Sequence, residues 1–117
     1  MDYTASEQKQ FASTVIKQMG NHLQSMISAY NMTCGVSQKG NLQFQFKFRG
    51  SRSYNYCQVT LNDNDLYTLK IGQIRRYRKG QHPLVVRYEQ DGLYSDMLKP
   101  IFEKQTGLYL TLGTMGR

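Results

Sequence analysis

The chain has few of the residues on which metal, redox and secretory functions depend. It contains only two cysteines, Cys34 and Cys57, which form neither a zinc motif nor a multiple-disulfide framework. Both lie in strand-like stretches, where a free cysteine behaves as a small buried hydrophobic residue, although the sequence leaves open whether the two are paired. No apolar run approaches the roughly 20 residues that cross a bilayer. No basic leader precedes an apolar segment as in a secretory signal, so we expect a cytoplasmic protein that does not bind membranes.

The sequence also lacks the motifs of common catalytic sites. It has no phosphate loop, nucleophile elbow or glycine-rich dinucleotide fingerprint. His22 and His82 have no Cys, Asp or Glu at metal-ligand or general-base spacing. The eight acidic residues leave little for metal-dependent nuclease chemistry, and the cluster Asn62–Asp65 is explained as a turn. We therefore expect no enzymatic activity, no catalytic residue, no cofactor and no bound metal.

What the chain does contain is a concentrated positive charge. Residues 39–87 carry ten basic and two acidic side chains, a net charge of +8, although the whole chain carries only +7. Residues 1–38 are neutral overall and residues 88–117 are slightly acidic. A localised positive field attracts polyanions and speeds their encounter, so the pattern predicts a binding protein for a polyanionic or acidic partner.

Hydrophobic periodicity predicts an α+β fold. Thr4 and Glu7 have the spacing of a capping box, and an apolar stripe from Phe11 to Tyr30 predicts one amphipathic helix over about 5–30. Period-two alternation then predicts a four- to five-stranded antiparallel meander sheet, followed by a C-terminal helix capped by Asp91. Both helices are expected on one face of the sheet. We expect a single domain over 1–112 and a mobile tail over 113–117.

Individual segments carry more specific predictions. The strands are expected at about 34–37, 42–49, 53–61, 67–74 and 84–89, with a further short edge strand at 108–112. Gly72 is expected at a bulge or a close approach between backbones. Pro100 is expected to kink or split the second helix, and Gly107 to end it.

The sheet face opposite the helices is the first candidate site. Alternation would place polar, basic and aromatic side chains there together: Gln43, Gln45, Lys47, Arg49, Tyr54, Tyr56, Gln58, Thr60, Thr68 and Lys70. Such a mixture suits a single-stranded nucleic acid, whose bases stack on rings while its phosphates meet Lys or Arg. The alternative is a solvated sheet face in which tyrosine serves only as a good strand former. A one-residue slip in register would turn both tyrosines inward.

The second candidate is the basic turn after the fourth strand. Arg75, Arg76, Tyr77, Arg78 and Lys79 could contact phosphates or enter a groove. The alternative is a solvated hairpin tip that resists edge-to-edge aggregation. The predicted nucleic-acid-binding residues are Lys47, Arg49, Arg52, Tyr54, Tyr56, Lys70, Arg75, Arg76, Tyr77, Arg78 and Lys79.

Three stretches carry a resemblance to other proteins: Ile71–Arg75, Asp91–Leu98 and Thr106–Leu112. In these the chain resembles small uncharacterised proteins encoded by phages and bacterial mobile elements. The resemblance implies a bacterial cytoplasm and an accessory gene, but no site residue. The positive charge favours two functions without separating them: a non-enzymatic nucleic-acid-binding module, or an interaction module that inhibits a host or defence protein by docking on its acidic surface. The sequence leaves the partner and the oligomeric state open.

Overall fold

The computed structural model describes residues 3–62, 64–75 and 84–110. Its elements follow the order helix, helix, five strands, helix. The helices are α1 (Ala5–Gln18), α2 (Leu23–Ile27) and α3 (Leu98–Thr106), and the strands are β1 (Tyr30–Val36), β2 (Leu42–Lys47), β3 (Tyr56–Leu61), β4 (Tyr67–Ile74) and β5 (Leu84–Leu93). The strands pair in chain order as one antiparallel sheet. The predicted α+β fold is therefore confirmed, with five strands.

The N-terminal helix begins as predicted but ends early. The Glu7 amide donates to the Thr4 hydroxyl at 3.1 Å and the Thr4 amide donates to the Glu7 carboxylate at 2.9 Å, which completes the capping box. The prediction of one helix over 5–30 is wrong. Gly20 and Asn21 have φ of 100° and 64°, which lie outside right-handed helical conformation and separate α1 from α2. The apolar stripe nevertheless continues into the core, because α2 buries Leu23 and Ile27.

The inner face of the sheet contains the aromatic core that the alternation in β2 predicts. Phe44, Phe46 and Phe48 are each only 1% exposed. From α1, Phe11 stacks on Tyr67 with ring centroids 6.3 Å apart. From α3, Phe102 meets Phe48 edge-on at 5.1 Å. Burial of each large apolar side chain stabilises the fold by roughly 1.5–3 kcal/mol.

Helices α1 and α3 contact the same face of the sheet. Directly paired residues of neighbouring strands share a face, and the register pairs Phe44 with Val59 and Val59 with Leu69. Tyr67 lies two residues from Leu69 and shares that face. The helical contacts with Tyr67 and with the β2 phenylalanines therefore leave the opposite face uncovered by either helix.

The last strand is longer than predicted, and this changes the role of Asp91. Because β5 continues to Leu93, Asp91 lies within the strand and the prediction that it caps the second helix is wrong. A short 3-10 helix over Ser95–Met97 leads into α3 instead. Pro100 is the third residue of α3. A first-turn amide has no intrahelical partner, so proline is tolerated at this position and does not have to kink the helix.

The C-terminal helix ends where its glycine predicts. Gly107 caps α3 with φ of 76°, as expected for a residue without a side chain. Residues 108–110 form no strand, so the predicted edge strand is wrong over that range. Leu110 is instead buried, and its amide donates to the Glu103 carboxylate at 2.8 Å. The rest of that strand and the proposed tail over 113–117 lie outside the described residues. Within the described ranges, no helix is long and apolar enough to cross a membrane.

Candidate nucleic-acid interface

The open face of the sheet is organised in three rows that run across the strands. Residues that pair directly lie side by side, so the register defines each row. The first row is Tyr30, Lys47, Tyr56, Gly72 and Val86; the second is Thr33, Gln45, Gln58, Lys70 and Glu89; the third is Gly35, Gln43, Thr60 and Thr68. The first row thus places a lysine between two tyrosines, while the other rows are mainly amides and hydroxyls.

Tyr56 is held against the sheet. Its side chain is half-buried, and its hydroxyl donates to the Gln45 side-chain oxygen at 2.6 Å. Burial, with a smaller contribution from neighbouring Cys57, raises the pKa of the Tyr56 phenol to about 12. The hydroxyl bond to Gln45 orients the ring, which suits it as a stacking surface.

Tyr30 completes the first row and was missed by the sequence analysis. The guanidinium carbon of Arg49 lies 4.4 Å from the centre of its ring, which is a cation–π contact. The apolar stripe assigned Tyr30 to the first helix, although it is the first residue of β1. The signal in the sequence was the pair Gly20-Asn21, two residue types that tolerate the positive φ angles with which the structure ends the helix.

Positive charge is concentrated at one end of the sheet. In an antiparallel meander, the end of β2, the start of β3, the end of β4 and the start of β5 all lie at the same end of the sheet. Segments 47–56, 72–75 and 84–87 meet there and contain no acidic side chain. We call their five basic residues the basic end: Lys47, Arg49, Arg52, Arg75 and Arg87. Arg87 is an addition to the predicted set, and nothing in the sequence but its charge indicated it.

Side-chain hydrogen bonds hold the segments of the basic end together. The Asn55 side chain accepts from the Ile74 amide at 2.7 Å and donates to the Ile74 carbonyl at 3.1 Å. The Gln73 side chain donates to the Arg52 carbonyl at 3.1 Å and accepts from the Arg87 guanidinium at 3.0 Å. The loop before β3 is thus tied to the end of β4 and the start of β5, which brings Arg52 and Arg87 together.

Not every predicted site residue joins this surface. Tyr54 precedes β3 and packs against the core, so its predicted place on the outer face is wrong. Strand alternation does not extend to it, and its amide is held by the Ser51 hydroxyl in a turn. Lys70 lies in the second row, away from the basic end. Four further predicted residues lie outside the described residues: Arg76, Tyr77, Arg78 and Lys79.

Beyond the first row the open face forms a polar groove of about 830 Å³. Two lysines, Lys39 and Lys70, and two acids, Glu89 and Asp91, contribute to its lining. The other lining side chains are almost all amides and hydroxyls: Ser37, Gln38, Asn41, Gln43, Gln58, Thr60, Asn62, Asn64 and Thr68. Unlike the basic end, this groove has balanced charge. The sequence analysis included neither acid in a candidate site: it ended the last strand at Glu89 without assigning that side chain to a face, and it assigned Asp91 to a helix cap.

Among the described residues, no group of three or more His, Cys, Asp or Glu side chains could hold a metal ion. Cys34 and Cys57 are free thiols, and β2 separates their strands in the sheet.

A scan against protein-family models and searches of curated proteins and of solved structures found no match to this chain. The resemblance to phage and mobile-element proteins therefore stays a prediction.

Proposed function

We propose that the chain is a non-enzymatic module that binds single-stranded nucleic acid on the open sheet face. The observation that carries the proposal is the first row, in which Lys47, a member of the basic end, lies between Tyr30 and Tyr56. Aromatic rings next to cations are the elements of single-strand recognition, because bases stack on the rings and phosphates contact the charges.

Each group has a distinct role in this proposal. The ring of Tyr56 provides a platform for a base, and such stacking contributes about 1–3 kcal/mol per base. One face of the Arg49 guanidinium covers Tyr30, and its other face is presented to a base. Lys47, Arg52 and Arg75 contact phosphates. Because nucleic acids are held inside the cell, the proposal keeps the cytoplasmic setting that the sequence analysis expects.

The test is fluorescence anisotropy with labelled single-stranded DNA, single-stranded RNA and duplex DNA at several salt concentrations. The double variant Arg52→Ala/Arg75→Ala removes two exposed cations from the basic end. Its control, Lys17→Ala/Lys104→Ala, removes the same charge from exposed positions on α1 and α3. We expect the site variant to bind more weakly and with a shallower salt dependence, because fewer counterions are released.

A second pair of variants tests stacking separately from charge. Tyr56→Phe keeps the ring and removes only the hydroxyl bond to Gln45, whereas Tyr56→Leu removes the ring. We expect Tyr56→Phe to bind nearly as well as the original chain and Tyr56→Leu to lose on the order of tenfold in affinity. Equal affinities of a folded Tyr56→Leu chain and the original would remove stacking from the proposal.

The same titrations distinguish the alternative function. Binding that disappears at physiological salt and responds equally to the site and control variants would contradict the nucleic-acid proposal. The basic end would then be better explained as a docking surface for an acidic host protein. A stoichiometric complex with one such protein, lost in Arg52→Ala/Arg75→Ala, would support that function instead.

A further inference from the structure

Three polar side chains in the second row have no hydrogen-bond or ion-pair partner among the described residues. Gln58, Lys70 and Glu89 lie side by side on β3, β4 and β5 and line the polar groove. Among the described residues, the side chain of none of the three takes part in a hydrogen bond or an ion pair. Neighbouring side chains already have hydrogen-bond partners: Gln45 accepts from Tyr56, and Thr68 donates to Asp91 at 2.7 Å. The three free side chains are therefore available to a ligand.

Their order across the sheet defines a pattern of donors and acceptors. Glu89 can only accept, Lys70 can only donate, and the amide of Gln58 can do either. Lys70 is central, since it pairs with Gln58 on one side and with Glu89 on the other. A ligand that satisfies the row needs a donor for Glu89 and an acceptor in its centre for Lys70.

We infer that this row reads the Watson–Crick edge of an unpaired amino base, cytosine or adenine; this rests on the proposed function. Cytosine offers an amino donor to Glu89, the ring acceptor N3 to Lys70 and its O2 to Gln58. Adenine offers its amino group to Glu89 and the ring acceptor N1 to Lys70. Thymine, uracil and guanine carry a hydrogen on the central ring nitrogen, which the Lys70 ammonium cannot accept.

The charge of the groove favours a base over a phosphate. Glu89 and Asp91 repel a phosphate, and Lys39 and Lys70 only balance them. The basic end attracts the backbone of the strand, so the polar groove is left for base edges. The row also lies beside Tyr56, because Gln58 is two residues along the same strand, a rise of about 7 Å.

The experiment is anisotropy competition of unlabelled oligo(dC), oligo(dT) and oligo(dA) against a labelled mixed-sequence strand, with the full chain. Oligo(dC) and oligo(dT) are the decisive pair, because both are pyrimidines and differ mainly in the edge presented to the row. We expect oligo(dC) to bind more tightly than oligo(dT) on the order of tenfold, the range for discrimination by base-edge contacts. Oligo(dA) should bind more tightly than oligo(dT) as well.

The test variant is Lys70→Gln, with Lys39→Gln as its matched control. Both remove one positive charge from the groove, but only Lys70 is central to the row. The amide introduced by Lys70→Gln can donate or accept, so we expect the ratio of oligo(dC) to oligo(dT) affinity to approach one. Lys39→Gln should weaken both affinities and leave the ratio unchanged.

The outcomes separate this inference from the proposed function. Equal affinity of the original chain for oligo(dC) and oligo(dT) would overturn the assignment of the row and leave single-strand binding standing. A preference for oligo(dC) that persists in Lys70→Gln would overturn it too. No binding to any strand at physiological salt would overturn both proposals.

Discussion

At the scale of single residues, Gly72 shows how an absent side chain allows two strands to approach. A Cβ at this position would lie 2.4 Å from the backbone carbonyl oxygen of Val85. The register of β4 and β5 shifts at this point, between Ile71 and Gly72. The predicted bulge and close approach are both confirmed. Since the obstacle is the backbone of β5, a side chain here would push that strand away from β4.

We therefore expect Gly72→Ala to lower the free energy of unfolding by about 1–3 kcal/mol, the usual cost of overpacking. Urea denaturation followed by circular dichroism measures it. The control is Gly35→Ala in β1, where a Cβ would meet nothing within 4 Å. It should be neutral or slightly stabilising, because alanine restricts the unfolded chain. Similar losses in both variants would contradict the close approach as the cause.

The ionisation of Tyr56 couples stability to pH. Its folded pKa of about 12 lies above the ordinary value of 10.0. As pH rises through this interval, the unfolded chain releases the proton first, so the free energy of unfolding falls. Below about pH 10 both states keep the proton and Tyr56 contributes no pH dependence. Burial also raises the pKa of the Cys57 thiol, which makes the decline start nearer pH 9, where a free thiol ionises.

Denaturation midpoints of the original chain and Tyr56→Phe from pH 8 to 11 give the measurement. We expect the variant to lose less stability between pH 10 and 11, because it has no phenol to ionise. Tyr94→Phe is the control, since that ring is 65% exposed. A pH profile of Tyr56→Phe that matches the original would show that the folded pKa of Tyr56 is ordinary.

At the scale of elements, Asn55 connects the loop before β3 to the end of β4. Its side chain makes two hydrogen bonds to the backbone of Ile74. Asn55→Ala would leave the Ile74 amide and carbonyl without these partners; because both residues are only half-buried, we expect a loss of about 1 kcal/mol, the lower end of the range for an unsatisfied group. We also expect weaker binding of single-stranded nucleic acid, because Arg52 and Arg75 would no longer be held together. Thermal unfolding and anisotropy measure the two effects.

The matched control is Asn64→Ala in the exposed turn between β3 and β4. The same residue type is lost there without removing a hydrogen bond between segments, so stability should change by less than about 0.5 kcal/mol. An Asn55→Ala chain as stable as this control would show that other contacts hold the two segments.

At the scale of the whole molecule, the two edges of the sheet are irregular. In β1 the register shifts between Tyr30 and Thr33, where Asn31 has φ of 52°. In β5 it shifts at two places against β4. Bulges twist an edge strand and disrupt its row of backbone donors and acceptors, which discourages pairing with another sheet. Both edges of this sheet are therefore poor templates for association.

We expect the chain to be a monomer of 13.6 kDa at micromolar concentration, as measured by light scattering after size exclusion. Both exposed large apolar residues of β5, Leu84 and Val86, lie in the part of the strand before its first irregularity. A dimer that separates in Val86→Lys would contradict the expectation and identify the β5 edge as the interface.

Local patterns in the sequence predicted the structure correctly where the deciding contacts join residues close together in the chain. The alternation of Phe44, Phe46 and Phe48 with polar residues determines which face of β2 is buried, because side chains alternate along any strand. The spacing of Thr4 and Glu7 determines the start of α1, because its hydrogen bonds join residues three apart. The position of Lys47 on the open face follows from the same alternation.

Long-range contacts decided the rest of the site. Tyr30 joins Lys47 and Tyr56 only through the pairing of β1 with β2 and of β2 with β3, and register between strands cannot be read from one strand alone. Tyr54 lies in a turn before β3 and packs against the core, although strand alternation predicted it on the outer face. By itself, the sequence determined where the five strands lie, although not all of their ends, and where positive charge is concentrated. Only the tertiary structure decided which side chains share a row, because that depends on contacts between residues far apart in the chain.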